Sequence, residues 1–537
     1  MFHPSAPPAT QYAIPAYAGP WTRVQAGHLL RRAVFGPTAT EIRQATTRGL
    51  QTTLNQLLTD TFASPRPLNY SFTGDPAIPV GTTWVNKPYG PNDNENYRNT
   101  SLSAWFVHNK IDGPVNLREK MHLLWINHFG LRSVIDHRTE HQYFELLYTH
   151  GMRNFRALLE AVTVNPAMLQ FLDGQTNISD NPNENYAREF LELFTIQKGE
   201  QVGESDYTNY TEQDVAELAR CFTGWRNNNF VFSSDNTRVA SYFDADKHDA
   251  GTKTLSPRLD SVVIANGGAN EYKRVIDILL RKEQTARALC REFYRFFVYS
   301  EISEEVEATI IAPLAGLLMA ERYDVKPVLR ALLGSQHFFD VARRGAIIKN
   351  PYEYVLGISR TLLGYGHLNL NLRQYYIMGA KLQDYATRMN MDFKNLPTVS
   401  GWRAYYQGPD YSRHWATPVT LQRRQETLNE IVTGSLHAEN FLLQIDWFAA
   451  LQSFEEPGEL DALIGELLNT FLPRQLTEGQ IAELKQVVLQ GLPDNTWRVL
   501  YAQTLSNPND EDSRRLLTSR FQQLVRAVLE LPEYHLI

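Results

Sequence analysis

The chain has 537 residues, 43% of them hydrophobic, a mass of 61.5 kDa and a formal net charge of -7 at pH 7. This length exceeds that of a typical single domain, and the 26 Tyr and 26 Phe exclude a disordered chain. The acidic balance and the scattered Lys and Arg exclude a nucleic-acid-binding protein, and two cysteines, Cys221 and Cys290, cannot build a disulfide framework.

The predicted elements begin with an N-terminal extension, residues 1–22, which is rich in Pro and Ala. It has no basic segment followed by an apolar run, so no signal peptide is predicted. The longest apolar run, residues 308–320, contains Pro313 and is shorter than the roughly 17 residues that a membrane-spanning helix needs. As the sequence stands, we expect a soluble, cytoplasmic protein without a transmembrane segment.

Residues 23–394 are predicted to form a helical core, because apolar residues recur there at helical spacing. Pro, Gly, Asn and Asp are dense in residues 62–94, which indicates a long loop. Residues 226–268 interrupt the helical pattern with an alternating stretch and a polar loop. Residues 395–537 are predicted to be an aromatic loop followed by a C-terminal helical layer. The expected fold is mainly α, a large multi-helix globular fold with one small β-hairpin insertion near 228–264.

The segment "REKMHLLWINHFG", residues 118–130, is apolar on nearly all sides of a helix, which predicts burial. Asn127 and His128 would then be polar groups in a core, where an unpaired polar group costs about 1–3 kcal/mol. Both must have partners. The choice lies between a histidine satisfied by a structural acceptor and one that binds a ligand or transfers protons.

The segment "NPNENYAREFLELF", residues 181–194, starts with strong helix-initiation signals. Asn181 suits the N-cap, Pro182 the first helical position and Glu184 the capping-box position. Helix physics therefore explains these three residues without any function. The remaining polar residues lie on one arc of the helix: Asn185, Arg188, Glu189 and Glu192. This arc is either the solvent-exposed face of a surface helix or part of a functional site.

The loop "FDADKHDAGTK", residues 243–253, places Asp244, Asp246, His248 and Asp249 close together ahead of Lys253. Such oxygen and imidazole donors suit a divalent cation, whereas a solvated acidic turn has the same composition. The glycine and glutamate of a calcium-binding EF-hand are missing, which excludes that motif.

Taken together, these segments resemble a known family. The similarity is carried by "HLLRRAVFGPT", "LREKMHLLWINHFG", "NPAMLQFLDG", "NPNENYAREFLELFTI", "YTEQDVAELARCFTGW", "FDADKHDAGTKTL" and "GWRAYYQGPDYSRHWATPVTLQRRQE", in that order along nearly the whole chain. The chain is thus similar to the bacterial domain-of-unknown-function family numbered eighteen hundred. The resemblance implies no established activity. It implies a sulfatase-like protein encoded nearby as a partner, and export to the periplasm or beyond, for which this chain shows no leader.

The resemblance also selects residues. The family pattern falls on Glu119, Asn127, His128, Asn183, Glu184, Asn185, Arg188, Glu189, Glu192, Asp214, Trp225, His248, Asp249 and Lys253. The chain departs from it at Ile126 and Phe194, where the family often has His, and this weakens any scheme that needs several imidazoles there.

Our leading hypothesis from the sequence is one pocket in which the polar face of helix 182–196 meets His128 and the loop with His248. His128, Glu189, Glu192 and His248 would bind a divalent metal, and the catalytic set would be Glu184 as general base, Arg188 as substrate holder, Asp249 and Lys253. The implied activity is metal-assisted hydrolysis or modification of an envelope or extracellular polymer.

The competing hypothesis is a non-catalytic scaffold or a carbohydrate- or protein-binding module, in which Glu, Arg and His form a buried structural network. Aromatic residues of the loop at 395–418, among them Trp402 and Trp415, would then form a contact surface. Substrate-binding or structural roles are expected for Glu119, Asn127, Asn183, Asn185, Asp214, Trp225, Trp402 and Trp415. Elemental analysis of the purified protein distinguishes the two hypotheses.

Overall fold

The computed structural model describes residues 14–61, 63–90, 95–132, 134, 136–228, 240–364, 370–434, 436–439 and 441–537. The prediction of a mainly α fold with a small β insertion is confirmed. The N-terminal half of the protein contains α1 (Arg23–Ala33), α2 (Ala39–Arg48), α3 (Leu50–Leu57), α4 (Glu95–Asp112), α5 (Arg118–Phe129), α6 (His137–His150), α7 (Phe155–Thr163), α8 (Pro166–Phe171), α9 (Glu184–Glu189), a π-helical turn (Phe190–Phe194) and α10 (Glu212–Cys221).

The second half is also helical, and another π-helical turn, Glu307–Ile311, precedes α14. Its helices are α11 (Glu271–Leu279), α12 (Glu283–Phe297), α13 (Glu304–Val306), α14 (Ala312–Ala320), α15 (Val325–Leu333), α16 (Pro351–Leu362), α17 (Leu372–Arg388), α18 (Arg403–Tyr406), α19 (Pro418–Val432), α20 (Trp447–Gln452), α21 (Leu460–Phe471), α22 (Glu478–Leu489), α23 (Asn495–Ser506) and α24 (Glu511–Leu529).

Strands occur as short antiparallel pairs. β1 (Trp225–Asn227) pairs with β2 (Ser241–Phe243), and β3 (Lys253–Thr254) pairs with β4 (Val263–Ile264). The insertion near 228–264 therefore contains two pairs, and residues 229–239 of the predicted hairpin lie outside the described part. A further pair, β5 (Leu436–Ala438) with β6 (Phe441–Leu443), was not predicted; it turns at Glu439, which has a φ of 52°.

Local capping explains where several helices begin. Asn350 and Glu353 form a reciprocal capping box at α16, with Pro351 in the first helical position. Thr211 and Asp214 do the same for α10. These caps satisfy backbone N–H groups that would otherwise have no partner in the interior.

Helix α5 lies at the centre of the hydrophobic core. Leu123, Trp125, Ile126 and Phe129 have no exposed surface, and the rings of Trp125, Phe129 and Phe155 all pack against one another. One contiguous apolar cluster extends from α1 through α5 to α24. The burial predicted for this helix is therefore confirmed.

Within the described residues, none of the helices has both the length and the apolar character that a bilayer crossing requires.

We predict that substituting Gly36 destabilises the protein more than substituting Gly49, although each has a φ of 80°. A Cβ at Gly36 would overlap Cα of Gly357 in α16, whereas a Cβ at Gly49 meets no atom within 4 Å. Both Ala variants should lose about 1–3 kcal/mol through backbone strain, and Gly36→Ala should lose about 1–3 kcal/mol more through overlap. Urea unfolding of both variants measures this, and equal losses would show that α1 and α16 separate freely.

Candidate functional site

His128 is held inside the core by α5. Its ring packs edge-on against Trp125 and Phe129, at centroid distances of 5.5 and 4.5 Å. Nδ1 lies 2.7 Å from Oε2 of Glu292 in α12, while Nε2 is buried without a partner among the described residues. His128 therefore donates a hydrogen bond that orients the carboxylate of Glu292, and it offers no free nitrogen to solvent.

Glu292 presents its carboxylate to an open space. Its side chain is 25% exposed, and only Oε2 has a protein partner in the described structure. Sequence reasoning missed this residue. The sequence feature that could have indicated Glu292 is its position as the single acidic residue in the aromatic run "REFYRFF" of a strongly amphipathic helix.

Glu192 reaches the same space from the π-helical turn. Oε1 accepts a hydrogen bond from the hydroxyl of Tyr210, and Nζ of Lys198 lies 3.9 Å away. The side chain is 22% exposed, and Oε2 has no partner among the residues described here. A π-helical turn contains an i to i+5 hydrogen bond and is frequent at functional sites.

A loop packed against α5 closes the other side. Gly401 has a φ of 84°, and a Cβ there would lie 2.5 Å from the carbonyl oxygen of Asn127. The backbone N–H of Trp402 donates to Oδ1 of Asn127 at 2.9 Å. This close approach positions Tyr405 at the edge of the space that Glu192 and Glu292 face. The Tyr405 ring stacks on that of Phe296 at a centroid distance of 5.4 Å.

These elements enclose a cavity of 150 Å³. Its lining combines apolar and aromatic walls with carboxylate, imidazole, guanidinium and amide groups: Leu124, Asn127, His128, Glu192, Leu193, Gln197, Glu292, Arg295, Phe296, Ser400, Tyr405 and Tyr406. Arg295 forms no ion pair with any described residue; its Nε is 3.4 Å from the carbonyl of Ser300. Two partly free carboxylates beside one unpaired guanidinium can hold a polar ligand and transfer protons to and from it.

The polar face of α9 does not enter this cavity as a whole. Glu184 and Asn185 are exposed, and Arg188 forms a bidentate pair with Glu212 at 2.7 and 2.8 Å. Burial and the charge of Glu192 raise the pKa of Glu189 above its usual value. Of the polar arc that the sequence suggested, Glu192 lines the cavity, and it belongs to the π-helical turn that follows α9.

The start of α9 differs from the prediction. The N-cap is Asn183 rather than Asn181, and Glu184 is the first helical residue. The Asn183 N–H donates to Oδ1 of Asn177, and its own Oδ1 accepts from the N–H of Asn185. Asn181 instead closes a turn, in which its backbone N–H donates to the carbonyl of Ile178 at 3.0 Å. Asn183 is thus a structural residue.

His248 belongs to a separate buried cluster. Its Nε2 lies 3.2 Å from Oε2 of Glu271, and its Nδ1 lies 3.0 Å from the carbonyl of Thr223. Both nitrogens face acceptors, so the charged imidazolium satisfies both. Lys253 lies 2.5 Å from Oε1 of the same glutamate. The sequence suggested one pocket shared by His128 and His248. In the structure, His248 is not among the residues that line the cavity beside His128.

Asp249 pairs with Arg220 at 2.7 Å and anchors the loop to α10. This Arg220 guanidinium holds the pKa of Asp249 below its usual value. The loop residues Asp249 and Lys253 thus act together to dock the insertion onto α10 and α11. Their carboxylate and ammonium groups are already engaged in the folded protein.

Five other residues singled out by sequence contact the rest of the fold. Asp214 accepts from the backbone and hydroxyl of Ser256, Glu119 pairs with Lys110 at 3.2 Å, and Trp225 packs against Phe243 and Tyr272. Trp402 and Trp415 are buried. The predicted aromatic contact surface is therefore wrong for these two tryptophans; Tyr406, 40% exposed, is the exposed aromatic residue that lines the cavity.

The four metal ligands suggested by sequence are dispersed. His128 and Glu192 line the cavity, Glu189 lies outside its lining, and His248 is bonded to Glu271. In the part of the chain that the structure describes, no group of three or more His, Cys, Asp or Glu is arranged to hold a metal ion.

The fold and the site define a mainly helical protein with a histidine-oriented carboxylate at a small polar cavity. Residues 28–536 match the family described as protein of unknown function (DUF1800), and the chain belongs to this family. No curated protein matches the chain. No solved structure matches it either.

We predict that His248 stabilises the fold in a pH-dependent manner. Burial alone would lower its pKa, but hydrogen bonds to Glu271 and Thr223 outweigh burial and raise it. A raised folded-state pKa gives stability that is present below the ordinary value of 6.5 and lost as pH rises through the folded-state value. The difference in unfolding free energy between wild type and His248→Asn should therefore shrink from about pH 6 to about pH 9.

Urea unfolding across this pH range measures the difference, and other titrating groups cancel in it. The exposed His437 provides the control, because His437→Asn removes an imidazole that has no buried partner. A constant difference for His248→Asn at all pH values would contradict the charged His248–Glu271 pair.

Proposed function

We propose that this protein is a hydrolase that cleaves a saccharide linkage in an envelope polymer, with Glu192 and Glu292 as its acid–base pair. The observation that carries the proposal is the pair of carboxylates at one cavity, each with one oxygen anchored by a buried donor and the other without a partner among the described residues. Paired carboxylates of this kind are the usual machinery of glycoside hydrolysis.

The two carboxylates divide the roles of base and acid. Glu292, which accepts a hydrogen bond from Nδ1 of His128, serves as the general base. Glu192 serves as the general acid. As the glycosidic C–O bond breaks, Glu192 gives its proton to the leaving oxygen, and Glu292 accepts a proton from the water whose oxygen bonds to the sugar carbon. One water is consumed, and proton exchange with solvent restores both residues.

The cavity walls suit a sugar. Tyr405, Tyr406 and Phe296 offer ring faces for the apolar side of a sugar, and Gln197 and Arg295 offer donors for its hydroxyl groups. A volume of 150 Å³ is below the roughly 300–1,000 Å³ of pockets for drug-sized ligands. It would hold one unit of a polymer, and the rest of the chain would lie across the surface near Tyr406.

The second candidate function is a non-catalytic saccharide-binding module or scaffold. It is favoured by the buried ion pairs of Lys110 with Glu119 and of His248 and Lys253 with Glu271, which act in folding. The sulfatase-like partner and the export that the family resemblance implies stay predictions.

We predict that Glu292→Gln and Glu192→Gln each reduce hydrolysis by about 100-fold or more, because proton transfer by one positioned carboxylate contributes roughly 10²–10⁴-fold. The assay is release of reducing ends from bacterial peptidoglycan and capsular polysaccharide. Thermal unfolding checks that each variant is folded.

Glu184→Gln is the matched control. Glu184 is 55% exposed in the same helical segment, so its removal should leave the rate within about twofold. Unchanged rates for Glu292→Gln would refute the assignment. Saccharide binding without release of reducing ends by the wild type would favour the binding module.

A further inference from the structure

A second region of the core holds an excess of buried positive charge. Five cationic side chains are packed near one side-chain carboxylate, that of Glu353: Arg31, Arg32, Lys120, Lys349 and Arg424. All five are at most 5% exposed. Ions buried in this way need counter-charge, because desolvation is costly.

The pairing of these groups is incomplete. Glu353 forms an ion pair with Lys120 and accepts the backbone N–H of Asn350 at 2.9 Å. Arg31 and Arg424 donate to carbonyl oxygens, at 2.6 Å to Asn469 and 2.6 Å to Lys349. Nε of Arg31, Nε and Nη1 of Arg32 and Nε of Arg424 are buried without a partner in the described structure.

Lys349 is the group that faces a space. Together with Arg31, Glu353, Tyr534 and Ile537 it lines a small cavity of 20 Å³. Its Nζ lies 3.5 Å from the centroid of the Tyr534 ring and has no hydrogen bond or ion pair with any described residue. Burial and the charge of Arg31 lower the pKa of Lys349 well below its usual value, so a filled counter-charge site would favour the ammonium form.

We propose that this cavity binds one chloride ion, held by Lys349 and Arg31. Its volume exceeds the roughly 10–15 Å³ that one water molecule needs and fits a monatomic anion, whereas phosphate and sulfate are too large. Chloride accepts hydrogen bonds from Lys349 Nζ and supplies the charge that Glu353 alone cannot.

A third cavity adjoins both the anion cavity and the candidate active site. It has a volume of 10 Å³, shares Glu353 with the anion cavity and shares Arg295 and Tyr405 with the site. The proposal itself does not depend on the hydrolase function.

The test is thermal and urea unfolding of the full chain at constant ionic strength, with sodium chloride replaced stepwise by sodium gluconate. Once chloride exceeds its Kd, the apparent unfolding constant of the wild type should fall tenfold for each tenfold rise in chloride. Lys349→Met should show no such dependence. Lys247→Met, which changes an exposed lysine, should behave as wild type.

The same chloride dependence in wild type and Lys349→Met, or none in wild type, would overturn the proposal. If Lys349→Met does not fold, bromide soaked into wild-type crystals decides the question. Anomalous scattering should then place one bromide between Lys349 and Arg31, and an empty cavity at high bromide would refute the site.

Discussion

The structure depends on one constraint: charged and amide groups on a helix that is buried nearly all round need partners from other elements. Helix α5 carries six polar side chains. Five of them are paired with other parts of the fold, among them Arg118 with Asp60, and the sixth, His122, packs against aromatic rings. Glu119 pairs with α4, Lys120 with α16, Asn127 with the loop at 401–402 and His128 with α12. Because an unpaired buried ion costs several kcal/mol, these matches fix the elements around α5. The candidate active site lies where two of them, α12 and the loop, meet.

Local patterns in the sequence were sufficient for the fold class and for the burial of α5. They were also sufficient to show that Asn127 and His128 need partners. They could not identify those partners, because Glu292 lies 164 residues from His128 and Glu353 lies 233 residues from Lys120. Periodicity describes which face of a helix is buried, and it contains no information on which other helix covers that face.

Several residues that the sequence suggests as a catalytic set are engaged in contacts within the fold. The carboxylates and cations of the insertion, including Asp249 and Lys253, are bonded to one another and to α10 and α11. A high density of charge in a short segment therefore reflects the docking of an insertion onto neighbouring helices as readily as it reflects catalysis. Glu192 and Glu292, which each keep one oxygen without a partner among the described residues, come instead from the π-helical turn and from α12, far apart in sequence.

The π-helical turn Phe190–Phe194 has a consequence for comparing relatives of this chain. A π-helical turn is equivalent to one residue inserted into an α-helix, so its loss would rotate the following side chains by about 100°. A relative that lacks one residue in this stretch would keep the helix and its apolar contacts but would point the residue aligned with Glu192 elsewhere. Gaps in an alignment here therefore separate members that share the cavity's second carboxylate from members that share only the fold.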